Sequence, residues 1–224
     1  MTTGFRSLCL GLWGAVLLIS FSSGRLNLLV RAPFHGLIAA TGLLLLTLAL
    51  LDWRCSRRHS RVRQRERGSW LVSGLVATAM LLIPPQPSFS DLAANRTGEQ
   101  LAPEPLSFVL PPAQRTLTDW VRLLVVEPDP RLYEGEPVRI KGFVMPMLDG
   151  PPQLGRLLVR CCLADATPIG LPVRWPQSGP LPQADQWLAV EGVMGVEIRA
   201  GQARSLVIPS RIVPIARPDR PFEA

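Results

Sequence analysis

Two adjacent cysteines, Cys161 and Cys162, are the residues of this sequence whose types and spacing best suit chemistry. They lie in the stretch LLVRCCLADATPIGLPVRW, and Asp165 follows the pair. Adjacent thiols can bind a soft metal ion, undergo thiol redox chemistry, or simply pack within the domain or against a partner. A disulfide between neighbouring residues is strained and reducible, so it suits a switch better than a permanent cross-link.

The pattern around the pair predicts a β-strand over residues 157–162. Neighbouring side chains of a strand point to opposite faces, so the two thiols can converge on one ion only at a strand end or a bulge. Both histidines lie before residue 60, which disfavours a zinc site. Methionine more often fills a core, but thioethers suit Cu(I). The candidate metal ligands are therefore Cys161, Cys162, Met145 and Met147.

Patterns that mark other common active sites are missing from the sequence. It contains no G-x-x-x-x-G-K-[ST], no G-x-G-x-x-G and no G-x-S-x-G. The part after residue 84 contains no histidine, so it cannot form a Ser-His-Asp triad. Asp149 and Asp165 are isolated carboxylates and are read as turn formers. We therefore expect a protein that is not an enzyme and requires no cofactor, with a metal ion or a small molecule as the candidate ligand.

The charge of the chain is concentrated at its N-terminal end. The sequence has 24 Lys and Arg against 17 Asp and Glu. Residues 1–83 hold 10 of the basic and 2 of the acidic residues, a net +8, and 7 of these arginines lie between Arg54 and Arg67. Residues 84–224 hold 14 basic and 15 acidic residues, a net −1. A domain near neutrality lacks the electrostatic surface that a phosphate backbone requires, so we expect no nucleic-acid partner.

Three stretches without charged residues predict transmembrane helices at about 7–24, 32–51 and 68–83. The first is short and has the features of a signal peptide as well, with Arg6 before it and SFSSG after it. The loop 52–67 is rich in arginine and is expected on the cytoplasmic side. With three spans this topology predicts a multi-pass plasma-membrane protein whose C-terminal part lies outside the cytoplasm, with the lipid bilayer as its first partner.

Proline marks where the membrane part ends, since only Pro33 of the 23 prolines precedes residue 84. Residues 84–114 are predicted to be an extended, proline-rich linker. Thr116 and Asp119 then resemble a capping box that starts an amphipathic helix.

Five short β-type runs follow, separated by turn residues, at 138–144, 157–162, 169–175, 187–198 and 205–215. They predict an extracytoplasmic domain over 115–217 with a tail at 218–224. The expected fold is therefore a membrane-anchored α + β protein, in which transmembrane helices precede one helix and a small OB-like β-barrel. A β-sandwich is the alternative.

The chain contains the motif Arg156-x-x-x-x-Cys161-Cys162-x-Ala164-Asp165-Ala166, followed by Pro168-Ile169-Gly170 and Val173. This motif and the layout of the chain resemble a bacterial family of uncharacterised membrane proteins described as permease subunits, whose members join N-terminal spans to a C-terminal domain of unknown function. Lesser similarities are Arg96-x-Gly98, Gly142-Phe143-Val144 and the tail from Pro218, whereas the segment FVMPMLDGPPQLG and Phe222 depart from the pattern. The residues that the resemblance marks as functional are Arg156, Cys161, Cys162, Ala164, Asp165 and Ala166.

The resemblance implies an accessory subunit that works with a separate multi-pass permease. The residues alone leave a second hypothesis open, in which the chain is a membrane-anchored thiol redox or soft-metal-binding protein that acts through Cys161 and Cys162.

Overall fold

A computed structural model of the chain describes residues 3–56, 67–96, 110–177, 179–199 and 201–222. The chain divides into two compact units, one of Met1–Gln86 with Cys161–Leu163 and one of Pro87–Arg160 with Ala164–Ala224. Most of the predicted basic loop and part of the predicted linker lie outside the described residues.

Three helices build the first unit: α1 (Thr3–Ser22), α2 (His35–Ser56) and α3 (Arg67–Leu82). The first two contain windows, Phe5–Ser22 and Ala32–Cys55, that are long and apolar enough to cross a membrane. Only 22% of the first window and 11% of the second are buried, whereas a core helix of a soluble domain is mostly buried. The third predicted span is a shorter apolar helix of 16 residues.

Polar side chains join the three helices within this unit. Such interhelical hydrogen bonds are typical of helices that pack in a low-dielectric environment. The bonds run from Ser7 Oγ to Asp52 Oδ2 at 2.7 Å, from Trp13 Nε1 to Ser73 Oγ at 2.9 Å, and from Cys9 Sγ to the Trp70 carbonyl at 3.3 Å. They place α1 beside both α2 and α3.

Two helices precede the sheet of the second unit. The capping box predicted from the sequence is present in α5 (Leu117–Val126), where Thr116 and Asp119 exchange side-chain and backbone hydrogen bonds. A shorter helix, α4 (Phe89–Ala94), interrupts the segment that was predicted to be an extended linker. It forms because Ser88 caps its start and because Phe89 and Ala93 are buried, so packing overrides the neighbouring prolines.

Five strands form one antiparallel sheet in the order β3-β2-β1-β4-β5. All five predicted strands are present, with shifted ends. Their bounds are β1 (Pro137–Met145), β2 (Gln153–Leu158), β3 (Thr167–Pro172), β4 (Trp187–Arg199) and β5 (Gln202–Pro214).

The sheet is not closed by a continuous ladder between its two edge strands. Just beyond β3, Val173 forms an isolated parallel bridge with Val207 of β5, and the Arg174 amide donates to the Val207 carbonyl at 2.9 Å. The core lies between the sheet and α5, where Leu117 and Trp120 are fully buried with Val190 and Val207. The described fold is therefore an α + β arrangement with N-terminal apolar helices.

Candidate functional site

The cysteine pair lies in the loop that joins β2 to β3. The last register pair of this hairpin is Leu158 with Thr167, so the loop comprises residues 159–166. The strand predicted over 157–162 was therefore wrong at the cysteines, because β2 ends at Leu158 and a 3₁₀ turn, Leu163–Asp165, follows the pair. An apolar run does not show where a strand ends. Here the strand ends early because the residues LADA, 163–166, favour a turn.

The turn brings the two cysteine side chains together, which any shared ligand requires. The Sγ atoms of Cys161 and Cys162 are 3.4 Å apart. A disulfide bond measures about 2.05 Å, so the two sulfur atoms are not bonded to each other. A carboxylate oxygen of Asp165 joins them, and the three ligand atoms all lie within 4.8 Å of one another.

Asp165 also fixes the shape of the loop, because its Oδ1 accepts a hydrogen bond from the Arg160 amide at 2.8 Å. The carboxylate thus closes the turn across the cysteine pair, as an aspartate in a turn commonly does. Its role as a turn former, expected from the sequence, is confirmed, and the same geometry presents it to the thiols.

Arg96 holds the other side of the loop. Its guanidinium donates to the carbonyl of Ala164 at 2.8 Å and to the carbonyl of Ala166. Ala166 is fully buried, which leaves no room for a larger side chain at that position. The Ala-Asp-Ala sequence therefore supplies two carbonyls for Arg96 around one aspartate. Sequence reasoning noted Arg96 only as a lesser similarity, because nothing in the sequence shows which residue is its partner across 68 positions.

Arg156 belongs to a different cluster, although the resemblance grouped it with the cysteines. It is 7% exposed on β2, where it donates to the carbonyls of Lys141 and Pro221, each at 2.8 Å. Its guanidinium also lies 4.9 Å from the ring centroid of Trp187. Buried cations need such partners, so Arg156 anchors the C-terminal tail to the sheet.

The tail is also held by aromatic packing that the sequence analysis missed. Phe222 lies 5.8 Å from Phe89 of α4, and Phe89 lies 5.7 Å from Phe143 of β1, measured between ring centroids. Phe222 was read as a departure from the family pattern, yet it fills a place in this cluster. Single aromatic residues at distant positions give no sign in a sequence that they meet.

The two candidate methionine ligands lie away from the thiols. Met145 pairs with Gln153 at the start of β2, whereas the cysteine loop follows the end of β2 at Leu158. Five residues of strand span roughly 17 Å. Met145 is buried and Met147 is 36% exposed. The structure thus brings Cys161, Cys162 and Asp165 together and leaves both methionines at the opposite end of the strand.

The chemistry of this loop follows from its three ligand atoms. Two thiolates with one carboxylate suit a soft or borderline divalent ion, and three protein ligands would leave a fourth position open. Alternatively, two thiols this close can exchange with a disulfide.

The fold and the loop together define a class of protein, in which apolar N-terminal helices precede a five-stranded α + β domain that carries a dithiol hairpin loop. A family model described as the DUF1980 C-terminal domain matches residues 117–222. The match begins at the first residue of α5 and ends at Phe222, so it covers the sheet, the cysteine loop and the tail. No curated protein and no solved structure gives a significant match to the chain.

This match supports the resemblance for the C-terminal domain, which is similar to an uncharacterised domain family. The matched range does not include the N-terminal helices α1, α2 and α3, and the description of the family does not mention a permease.

Proposed function

We propose that the chain is a plasma-membrane accessory subunit of a transport system, with a non-catalytic role. In this proposal the N-terminal helices span the bilayer and contact a multi-pass permease, and the C-terminal domain lies outside the cytoplasm. The observation that carries the membrane part is the pair of long apolar helices that are mostly unburied and joined by interhelical hydrogen bonds. The permease itself is implied by the resemblance.

An OB-like barrel is part of the same proposal. The strand order β3-β2-β1-β4-β5 and the parallel bridge between Val173 and Val207 support it, since this order would close a five-stranded barrel if β3 and β5 paired. Such a barrel would present its loops to a substrate or to the outer mouth of a permease.

The test of the subunit role is purification of the tagged full-length chain in mild detergent with quantitative identification of proteins that accompany it. The control replaces residues 1–86 with an unrelated membrane anchor and keeps the C-terminal domain. We expect one multi-pass membrane protein at near-equal amounts with the native chain and its loss with the control. If no multi-pass protein accompanies the native chain, the subunit proposal fails.

A second function is favoured by the convergence of Cys161, Cys162 and Asp165 within 4.8 Å. In this alternative the loop binds a soft metal ion or undergoes thiol redox chemistry. Titration of the reduced full-length protein with Cd²⁺ reports directly on thiolate ligation through its near-ultraviolet charge-transfer absorbance.

We expect one Cd²⁺ per chain with the native protein, and loss of this band in Cys161→Ser and Cys162→Ser. The matched control is Cys55→Ser, because Cys55 is an exposed thiol outside the loop. If Cys55→Ser removes the band and the loop variants keep it, the metal proposal for the loop is wrong.

Redox chemistry at the same loop has its own measurement. Oxidised glutathione would accept two electrons and two protons from the pair, which would form one Cys161–Cys162 disulfide and two molecules of glutathione. Mass spectrometry would then show a loss of two hydrogens in the peptide that carries both cysteines. An unchanged mass under conditions that oxidise a model dithiol would exclude this reaction.

A further inference from the structure

A cavity lies at the end of the sheet opposite the cysteine loop. It is formed by the β1–β2 loop, the chain after β3, and the β4–β5 hairpin, and its volume is about 420 Å³. Gln153 and Pro172, which line it, are the register pair at the open end of the β2–β3 hairpin, whereas the cysteine loop closes the other end. Small-molecule sites typically measure about 300–1,000 Å³, so this volume suits a small ligand.

Positive side chains outnumber negative ones around this cavity. Arg174, Arg199 and Arg204 line it, against Asp149 and Glu197. None of the three arginines is in an ion pair with a residue that the structure describes. Glu197 faces Arg204 in the register of β4 and β5 but forms no ion pair with it. Three guanidinium groups therefore face two carboxylates, which gives the lining a net charge of +1.

The guanidinium group of Arg199 packs against the β1–β2 loop. Gly150 has a φ of 123°, a backbone conformation that residues with a side chain rarely adopt. A Cβ atom at Gly150 would lie 2.9 Å from both terminal nitrogens of Arg199. The glycine therefore leaves space for the guanidinium of Arg199 against the loop, at the edge of the cavity.

The remaining walls are largely apolar and contain one polar group that lacks a partner. The Trp175 indole is 8% exposed and donates to the Pro152 carbonyl at 2.7 Å, which fixes the ring plane. Met147 and Leu181 add exposed apolar surface. The Ser205 Oγ is buried and has no hydrogen-bond partner among the described residues.

We propose that this cavity binds a small organic anion, in which a carboxylate is attached to a flat apolar body. The carboxylate pairs with the guanidinium groups of Arg199 and Arg204, since arginine binds carboxylates through two parallel hydrogen bonds. The apolar body lies against Trp175 and Met147. This site goes beyond the accessory role proposed above, because its ligand binding can be measured whether or not a permease is present.

The test uses 2-naphthoate as the probe, which is a flat aromatic carboxylate with its own fluorescence. The full-length protein is reconstituted in lipid nanodiscs and equilibrated with the probe by dialysis, and empty nanodiscs give the background. The neutral isostere 2-naphthamide, analysed by chromatography, reports binding that needs no charge. The double variant Arg199→Gln/Arg204→Gln removes both guanidinium groups. Arg211→Gln is the matched control, because Arg211 is an exposed arginine of β5 that does not line the cavity.

We expect saturable binding of one naphthoate per chain, with naphthamide at least tenfold weaker. The double variant should lower the affinity for naphthoate at least tenfold, and Arg211→Gln should change it less than twofold. All substituted arginines are exposed, so the variants should keep the native circular dichroism spectrum and melting midpoint. Equal binding of naphthoate and naphthamide, an unchanged affinity in the double variant, or no saturable naphthoate binding would each overturn the proposal.

Discussion

Arg96 is the residue whose contacts explain most about the cysteine loop. It donates to two carbonyls of the loop, and its position immediately follows α4. Hydrogen bonds from a charged group contribute roughly 1.5–3 kcal/mol to stability. The loop that carries the thiols is therefore held in shape by a residue far away in the sequence.

Replacing Arg96 with glutamine should destabilise the second unit by about 1.5–3 kcal/mol. It should also raise the rate of maleimide labelling of Cys161 several-fold, because the loop loses two of its hydrogen bonds. Stability can be measured by chemical unfolding in detergent, and labelling by mass spectrometry.

The control for this prediction is Arg139→Gln, since Arg139 is 71% exposed and pairs with Glu191 at 3.3 Å. Exposed ion pairs contribute about 0–1 kcal/mol, so this variant should behave nearly as the native protein does. An Arg96→Gln variant with unchanged stability and labelling would show that the guanidinium does not hold the loop.

Tyr133 provides a prediction about pH, because it is the only tyrosine in the chain. Burial raises the pKa of its phenol, and the nearby carboxylate of Glu127 raises this pKa further, against a smaller lowering by Arg115. The protonated phenol is thus favoured in the folded state. Stability from this group is complete below the ordinary tyrosine pKa of about 10 and is lost as the pH rises through the raised value.

Absorbance at the phenolate band should therefore rise at higher pH in the folded protein than in the protein unfolded by guanidinium. The signal needs no variant, since no second tyrosine contributes. Coincident titration curves in the two states would mean that Tyr133 is not buried as described.

The cysteine pair shows how much of a candidate site can be predicted from the sequence. The condition that the two thiols can converge only at a strand end or a bulge agrees with their place beyond the end of β2, because it follows from strand geometry. The chemical role of the pair stays a prediction. The partners did not follow from spacing, which read Asp165 as a turn former, and only the resemblance grouped Asp165 with the cysteines. Arg96 lies far from the loop in the sequence. Long-range hydrogen bonds to backbone carbonyls leave no pattern in the residues that accept them.

At the level of elements, the packing of α1 against α2 depends on a close approach at Gly14. A Cβ atom at Gly14 would lie 2.8 Å from Leu46 Cγ and 2.9 Å from the carbonyl oxygen of Gly42. Small residues allow helices to approach closely when hydrophobic burial does not drive their association. Any side chain at Gly14 must push the two helices apart.

The variant Gly14→Ala should lower the stability of the helical unit by about 1–3 kcal/mol, which is the usual cost of overpacking. Gly11→Ala is the matched control on the same helix, because its Cβ would make only an ordinary contact of 3.9 Å with Ala49. Unfolding in increasing dodecyl sulfate, followed by circular dichroism, compares the two. Equal midpoints for both variants would rule out a close contact at Gly14.

The elements were predictable where local chemistry determines them. The capping box of α5 and the five strands follow from residues within a few positions of each other. Helix α4 was missed because its stability comes from Phe89, whose ring meets Phe143, Trp187 and Phe222 from distant parts of the chain. The strand order could not be predicted from the sequence either. The alternation of apolar and polar residues shows which face of a strand is buried, but it does not show which strand lies beside it.

For the whole molecule, the proposed topology makes the side of the membrane on which the C-terminal domain lies depend on α3. If α1, α2 and α3 all cross, an arginine-rich loop on the cytoplasmic side places the domain outside. If only α1 and α2 cross, the same loop places it inside. Helix α3 is roughly 24 Å long at 1.5 Å per residue, against a hydrocarbon core of about 30 Å.

Two observations support a third crossing. Trp13 and Cys9 of α1 are hydrogen-bonded to α3, so the two helices lie side by side. Leu71, Leu75 and Leu82 of α3 are each more than half exposed, which suits a surface that faces lipid or a partner helix. A short span can be accommodated by local thinning of the bilayer.

The most direct measurement of the central proposal is the accessibility of an epitope tag fused after Ala224, tested with an external protease on intact and on permeabilised cells. A tag inserted in the arginine-rich loop between Ser60 and Arg61 is the internal control. We expect the C-terminal tag to be removed from intact cells, and the loop tag to be removed only after permeabilisation. A C-terminal tag that is cleaved only after permeabilisation would contradict the proposed topology and, with it, the extracytoplasmic role of the domain.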